Sequence, residues 1–214
     1  MNPYPDTTRE WQSLDLERVL MKLAPERLAQ CFEPANVPAE VVQRLLDAPR
    51  FHPRLMRMIE RHFELGDATV AFQADPAARL VLLADDDVKN AFARACGTVL
   101  HAQAFTTTVE ASKVRILRER FGSETLERAL RLRHLGLSVE PMTDIDALQA
   151  VIERDGDASL EAWRRELPPT LAGWLRLDIG DSAGKPPLTD AIRSKGPEIV
   201  RVLAMEWLTA EESR

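Results

Sequence analysis

Apolar side chains recur every three or four residues along most of this 214-residue chain, and proline or glycine interrupts them at helix-length intervals. In segments 38–49 and 53–66, for example, a proline opens the apolar pattern and a proline or glycine closes it. This spacing puts the apolar side chains on one face of an α-helix, whereas a half-buried strand would alternate them every second residue. We therefore predict an all-α fold, a compact multi-helix domain of about ten short helices with little or no β-structure.

The residue content agrees with this fold class. Hydrophobic residues make up 45% of the chain, which is normal for a globular protein. The helix formers Ala, Leu, Arg and Glu recur throughout, and alternating β-branched residues are scarce. Only residues 68–74 could be extended, and their sequence leaves a strand and a loop equally open.

Breaks in the pattern suggest how the chain is organised. Residues 1–8 are predicted to be a flexible tail, and residues 9–140 a helical core domain. Pro141 separates this domain from a C-terminal helical lobe, 141–214, that we expect to pack on the core. A loop rich in glycine and proline is expected at 179–187.

Several finer features can be predicted from the same pattern. Asp85–Asp87 should begin a helix that reaches about residue 104. Gly122 should end a later helix, which immediately precedes it in the sequence. Ser or Thr should cap the helix after Gly122, and Thr143 with Asp146 resembles a capping box. Later helices are expected near 144–154, 158–167, 169–178 and 197–209. The residues expected to share one core are Phe92, Val99, Leu117 and Leu130.

The sequence contains little that indicates catalysis. Gly180–Gly184 matches the G-x-S-x-G pattern around Ser182, but no histidine follows residue 134 to complete the triad order of that fold. The same loop fails the phosphate-loop pattern, because three rather than four residues separate its glycines and Pro186 follows the lysine. We therefore predict that the chain is not an enzyme; a serine hydrolase using Ser182 is the weaker alternative.

No metal or cofactor site is predicted either. The four histidines and two cysteines have no ligand spacing, and Cys31 and Cys96 are expected to be free thiols in buried positions. The first residues do not resemble a signal peptide, and no apolar run approaches the roughly 20 residues that a spanning helix needs. We accordingly expect a cytoplasmic protein without a cofactor.

One region departs from the acidic character of the chain, whose formal net charge is −6. Residues 110–135 contain seven Lys or Arg residues against four Glu, a local charge of +3. This region could bind an acidic partner, or be a solvated face with i,i+4 pairs such as Glu124–Arg128 and Glu127–Arg131. Two tryptophans could add exposed aromatic contacts, although tryptophan packs in a core more often than at an interface. The candidate partner-binding residues are Arg115, Arg118, Arg128, Arg131, Trp163 and Trp174.

Residues 80–135 also carry a family resemblance. A leucine-rich helix leads into a segment of the form small-Gly-x-x-Leu-His-Ala, and an arginine-rich helix ending in Phe-Gly follows. An upstream His52-Pro53 with Leu55 is a weaker match. Together these segments resemble the SctK/YscK-like cytosolic subunit of bacterial type III secretion systems. The matching segments are Leu82-Leu83-Ala84, Cys96-Gly97-Thr98-Val99-Leu100-His101-Ala102, Val114 to Gly122, Glu124-Thr125-Leu126 and Ala129-Leu130-Arg131.

This resemblance implies a specific function. Family members are helical adaptors of the sorting platform, linking the cytoplasmic domain of the inner-membrane ring protein to the cytosolic pod protein. They have no enzyme activity and no cofactor, bind no nucleic acid, and reach the cytosolic face of the inner membrane only through protein partners. The alternative is a helical nucleic-acid-binding regulator that uses the basic 113–133 face, against which the acidic whole argues.

Overall fold

The computed structural model describes residues 30–32, 37–65, 75–106, 111–138, 144–178 and 188–212. Within these ranges the chain forms ten complete α-helices and two 3₁₀ turns and contains no strand, which confirms the all-α prediction. The 3₁₀ turns are Pro49–Phe51 and Arg133–Leu135. The helices are α1 (Ala39–Leu46), α2 (His52–His62), α3 (Pro76–Leu83), α4 (Asp86–Leu100), α5 (Ala102–Thr106), α6 (Ala111–Phe121), α7 (Ser123–Arg131), α8 (Ile145–Glu166), α9 (Pro169–Asp178) and α10 (Asp190–Glu212).

Some predictions fall outside the described residues. They are the tail at 1–8, the strand or loop at 68–74 and the loop at 179–187. Thr143 also lies outside these ranges, but the capping prediction that involved it is wrong. Asp144 is the N-cap of α8, and its Oδ1 accepts hydrogen bonds from the backbone N–H groups of Asp146 at 2.9 Å and Ala147 at 3.3 Å.

The chain divides into two compact units. The first contains Met1–Leu83 and Pro168–Gly184, and the second contains Ala84–Leu167 and Lys185–Arg214. This division differs from the suggested boundary at Pro141, because α8 and α10 pack on α4 from the other side of that boundary. Helices α1 to α3 and α9 belong to the first unit, and α4 to α8 with α10 belong to the second.

Helix lengths in the second unit differ from the prediction. One continuous helix of 22 residues, α8, replaces the two expected at 144–154 and 158–167. Helix α10 begins at Asp190 and contains Pro197 within its length, whereas a start near 197 was expected. The expected helix from Asp86 to 104 is interrupted at His101, where α4 ends and α5 follows.

The turn between α6 and α7 depends on Gly122, as the sequence indicated. Its φ of 81° lies in the region that favours glycine, so the chain can end α6 there without strain. Gly122 also occupies the N-cap position of α7, which begins at Ser123. The expected side-chain cap from Ser or Thr is therefore absent at this helix start.

Three of the four apolar residues predicted to share one core are buried in the second unit, and the fourth is half-buried. Phe92, Val99 and Leu117 are buried, and the half-buried Leu130 packs against the same cluster as Leu117. Phe92 also packs edge to face on Trp207 of α10, with ring centroids 5.5 Å apart. The other buried members of the Leu117 cluster are Ala104, Phe105, Phe121, Leu126, Leu148 and Ile152.

Helices α4 and α8 cross at two glycines. A Cβ placed on Gly97 would lie 2.0 Å from the Ile152 carbonyl oxygen, and one on Gly156 would lie 2.1 Å from that of Ala93. Both distances are far below any normal contact, so these positions require glycine. Close to this crossing, His101 Nε2 donates a hydrogen bond to Asp155 Oδ2 at 2.8 Å, and both side chains are buried. The small-Gly-x-x-Leu-His-Ala segment is therefore a packing motif.

In the first unit, α2 is anchored by its apolar face. Leu55, Met56 and Ile59 are buried. His52 Nε2 is 2.6 Å from the carbonyl oxygen of Leu46 and connects the start of α2 to the end of α1. One face of α2 is therefore fixed against the core, and its opposite face is left to solvent.

Candidate partner-binding surface

The exposed part of α6 combines charged and apolar side chains. Arg115 is 77% exposed and lies 3.8 Å from Glu119 in an i,i+4 pair. Ile116 is one of two exposed large hydrophobic residues among those described. Arg118 is exposed and has no ionic partner in the described part of the chain. We refer to Arg115, Ile116 and Arg118 as the α6 patch.

The arginines of α7 have a different environment. Arg128 is only 18% exposed; it pairs with Glu124 at 2.7 Å and lies 3.5 Å from Glu206 of α10. Its guanidinium also lies over the ring of Trp207, 5.3 Å from the centroid. Arg131 pairs with the same Glu206 at 2.8 Å. These two arginines therefore stabilise the packing of α7 on α10.

The sequence left two possibilities for the basic region, a surface for an acidic partner or a solvated face with i,i+4 ion pairs, and the arginines differ in which one they fit. The Glu124–Arg128 pair is present as predicted, whereas Arg131 pairs with Glu206 and not with Glu127. Glu206 lies 75 residues from Arg131 in the sequence, so local spacing could not reveal it. Arg120 is likewise engaged, donating to Asp146 and, at 3.1 Å, to Gln149 of α8.

Neither candidate tryptophan is exposed. Trp163 is 0% and Trp174 is 1% exposed, so both are core residues of their units. The idea that they form an exposed aromatic contact is wrong. Each lies on the buried face of a helix, where its large side chain fills space in the core. The number of aromatic residues in the sequence does not show whether a tryptophan is buried in the core or exposed at a binding interface. The half-buried Trp207 of α10 contacts Arg128.

Three further features concern Ser182, metal-ion binding and membrane-spanning helices. Ser182 and its surrounding glycines lie outside the described residues. Within the described ranges, no group of three or more His, Cys, Asp and Glu residues could hold a metal ion. No helix in the described part of the chain is both long and apolar enough to cross a membrane.

The two cysteines are free thiols, as predicted, although Cys31 is half-buried and only Cys96 is fully buried. Removal from water raises the pKa of both thiols, because burial disfavours the charged thiolate. A raised pKa lowers the thiolate fraction at neutral pH, and neither cysteine has the environment of an activated nucleophile.

Comparison with known proteins identifies relatives that match almost the whole chain. The chain is 28% identical over 189 residues to the nodulation protein NolU of Rhizobium fredii, covering 86% of this chain and 84% of the relative. It is also 28% identical over 186 residues to NolU of Sinorhizobium fredii strain NBRC 101917 / NGR234, covering 85% and 82%. No family model matches the chain, and no solved structure gives a significant match. The chain is thus similar to rhizobial nodulation proteins over most of its length.

Proposed function

We propose that this chain is a non-catalytic adaptor of a type III secretion sorting platform. In this role it links the cytoplasmic domain of the inner-membrane ring protein to the cytosolic pod protein. It would act in the cytoplasm at the inner-membrane face, held there by protein contacts alone, and would need no cofactor. The resemblance of residues 80–135 to SctK/YscK-like subunits suggests the role. The chain is also similar over most of its length to nodulation proteins of rhizobia, and this similarity is compatible with the role.

The observation that most supports a binding role is the α6 patch. Partner surfaces commonly combine an apolar anchor with charged residues around it, and the charges accelerate association with an oppositely charged protein. Ile116 supplies an exposed apolar side chain, and Arg115 and Arg118 are exposed positive charges at other positions around the same helix. Arg128 and Arg131 contribute to packing within the chain, which leaves the α6 patch and Arg133 as the open part of the predicted basic face.

A binding experiment with both suggested partners tests this function. The full chain would be mixed with the purified inner-ring domain and the purified pod protein of the same bacterium, and association and dissociation rates measured. We expect the wild type to bind both, and Arg115→Glu/Arg118→Glu to slow association with an acidic partner by about tenfold at low salt. Failure of the wild type to bind either protein would reject the adaptor role.

A matched control separates a local effect from a change in total charge. Arg44→Glu/Arg193→Glu alters the net charge by the same amount at two exposed arginines outside residues 110–135. This control should associate at nearly the wild-type rate. If both variants slow association equally, the α6 patch is not the contact, and general electrostatic attraction accounts for the effect.

A further inference from the structure

A row of four arginines lies along the exposed side of α2 and the 3₁₀ turn before it. Arg50, Arg54, Arg57 and Arg61 are separated by four, three and four residues, and all are exposed. At about 100° per α-helical residue, Arg54, Arg57 and Arg61 lie within roughly 60° of one another around the axis of α2, and Arg50 precedes them in the 3₁₀ turn. We call these four residues the arginine row. The net charge of this segment conceals the row, because Glu60 and Glu64 offset two of its four positive charges.

The face of α2 opposite the arginine row is packed in the core. Leu55, Met56 and Ile59 are 4%, 2% and 0% exposed on the opposite side of α2. The helix therefore cannot roll to bury the arginines without exposing its apolar face. The half-buried Met58 lies beside the row by its position in the helix, where it adds apolar surface.

The charges of the row are not neutralised within the described chain. Arg50 lies over its neighbour Phe51, 4.8 Å from the ring centroid, and Arg57 Nε donates to the Pro53 carbonyl at 3.3 Å. None of the four arginines has a carboxylate within ion-pair distance among the described residues. Like charges three or four residues apart on a helix repel one another, so the row weakens α2 unless an anion covers it. Most other described arginines, by contrast, are paired with an acidic side chain; examples are Arg94, Arg115, Arg120, Arg128, Arg131, Arg165, Arg193 and Arg201.

The composition of the row indicates the chemistry of its ligand. It contains arginine without lysine, and the planar guanidinium binds a carboxylate through two parallel hydrogen bonds. A nucleic-acid surface is typically a broad basic patch on a basic domain, whereas this chain has a net charge of −6 and a pI near 5.4. We infer that the arginine row docks an acidic helical segment of a protein partner, whose carboxylates repeat at the same three- and four-residue spacing.

This inference goes beyond the proposed adaptor role and does not depend on it. The row belongs to the first unit of the chain, and the α6 patch belongs to the second. The charge, spacing and exposure of the arginine row support an acidic helical ligand whether or not that ligand belongs to a type III secretion system.

A designed peptide tests the inference on the full chain. The probe is a labelled 18-residue helical peptide with glutamates at positions 3, 7, 10 and 14, and fluorescence anisotropy measures its binding. A scrambled peptide of identical composition and an 18-base-pair DNA duplex serve as competing ligands. We expect the patterned peptide to bind at least about fivefold more tightly than the scrambled one, and Arg54→Glu/Arg61→Glu to weaken it about tenfold or more.

Two further variants make the result unambiguous. Arg54→Gln/Arg61→Gln removes charge without introducing repulsion and should weaken binding less than the reversal, while circular dichroism checks that each variant is folded. Arg133→Glu/Arg193→Glu, with the same charge change as the reversal, should bind as the wild type does.

Several outcomes would overturn the inference. These are no binding by the wild type, equal binding of the scrambled peptide, unchanged binding by the reversal variant, or tighter binding of the duplex. Sedimentation of the unliganded chain supplies one more test: a dimer that the reversal abolishes would make a second copy of this chain the occupant.

Discussion

Gly97 and Gly156 bring the backbones of α4 and α8 into direct contact. Because a Cβ on Gly97 would lie 2.0 Å from a carbonyl oxygen, Gly97→Ala must push the two helices apart. We expect this substitution to lower the free energy of unfolding by about 3 kcal/mol or more, as severe overpacking does. Urea denaturation monitored by circular dichroism measures this change.

Gly173 provides the control for that prediction. Among the described residues, a Cβ there would meet only Leu65 Cδ2, at 2.5 Å, which is the end of a flexible side chain. Alanine also favours the helical conformation over glycine by about 1 kcal/mol. Gly173→Ala should therefore change the unfolding free energy far less than Gly97→Ala. Equal losses in the two variants would show that the α4–α8 crossing is not the cause.

The buried pair of His101 and Asp155 stabilises the joint between α4 and α5. Asp155→Ala would leave the His101 imidazole buried without its acceptor, at a cost of about 2–3 kcal/mol in unfolding free energy. Asp155→Asn retains an acceptor oxygen and should cost less. Thermal or urea unfolding of the two variants measures the difference. Asp157→Ala, on the exposed side of the same helix, should stay within about 0.5 kcal/mol of the wild type and thereby control for helix propensity.

Single residues were predictable where a local pattern determined them. Gly122 ends α6, and Phe92 and Leu117 lie in the interior, because backbone conformation and helical spacing can be read locally. For Trp163 and Trp174 the sequence left a core position and an exposed contact both open, because burial depends on which helices pack over them, and the structure buries both. The partnership of Arg131 with Glu206 was also hidden, since it joins distant parts of the sequence.

At the scale of elements, the sequence predicted helix content better than helix length. Asp155-Gly156-Asp157 looks like a loop in isolation, which is why two helices were expected where α8 is continuous. The glycine costs helix stability on its own, but it allows α8 to approach α4, and this packing favours the helical conformation. The arginine row was missed for another reason. The row is defined by the positions of its arginines around the helix axis, and the net charge of a sequence segment does not contain this information.

Helices α6 and α7 should respond differently to charge reversal. Arg128→Glu would place a carboxylate beside Glu124 and Glu206 in a position that is only 18% exposed. We expect it to lower the unfolding free energy by about 2–3 kcal/mol, through lost pairing and new repulsion. Arg118→Glu, on exposed α6, should change it by no more than about 0.5 kcal/mol. Urea denaturation of both variants at the same salt concentration provides the measurement.

The difference between the arginines of α6 and those of α7 determines how the partner-binding test must be designed. Reversing all four predicted basic residues together would confuse misfolding with lost binding, because Arg128 and Arg131 stabilise α7 on α10. If Arg118→Glu destabilised the chain as much as Arg128→Glu, then α6 would also be structural. The α6 patch could then no longer be treated as an open surface.

For the whole molecule, the distribution of charge decides between protein and nucleic-acid partners. A net charge of −6 repels a polyanion at long range, so the arginine row and the α6 patch must act over short distances within an acidic surface. An acidic protein segment can match a short row of arginines, whereas a nucleic acid presents phosphates beyond the ends of the row to the acidic surroundings. This difference makes binding to DNA the most informative test of the alternative regulator role.

We expect no mobility shift of a DNA duplex by the full chain at about 150 mM salt, even at micromolar protein. Proteins that bind nucleic acid through several phosphate contacts lose affinity steeply as salt rises, so the titration should be repeated at about 50 mM and 200 mM. If the Arg115→Glu/Arg118→Glu variant and the Arg44→Glu/Arg193→Glu control weaken a low-salt complex equally, that complex reflects non-specific attraction. A shift that persists at 150 mM and is lost only with the arginines of the α6 patch would instead establish a nucleic-acid site there. In that case the adaptor proposal would lose its principal structural support. The arginines of the α6 patch would then be a binding site for nucleic-acid phosphates, and they could no longer be assigned to the binding of an acidic protein.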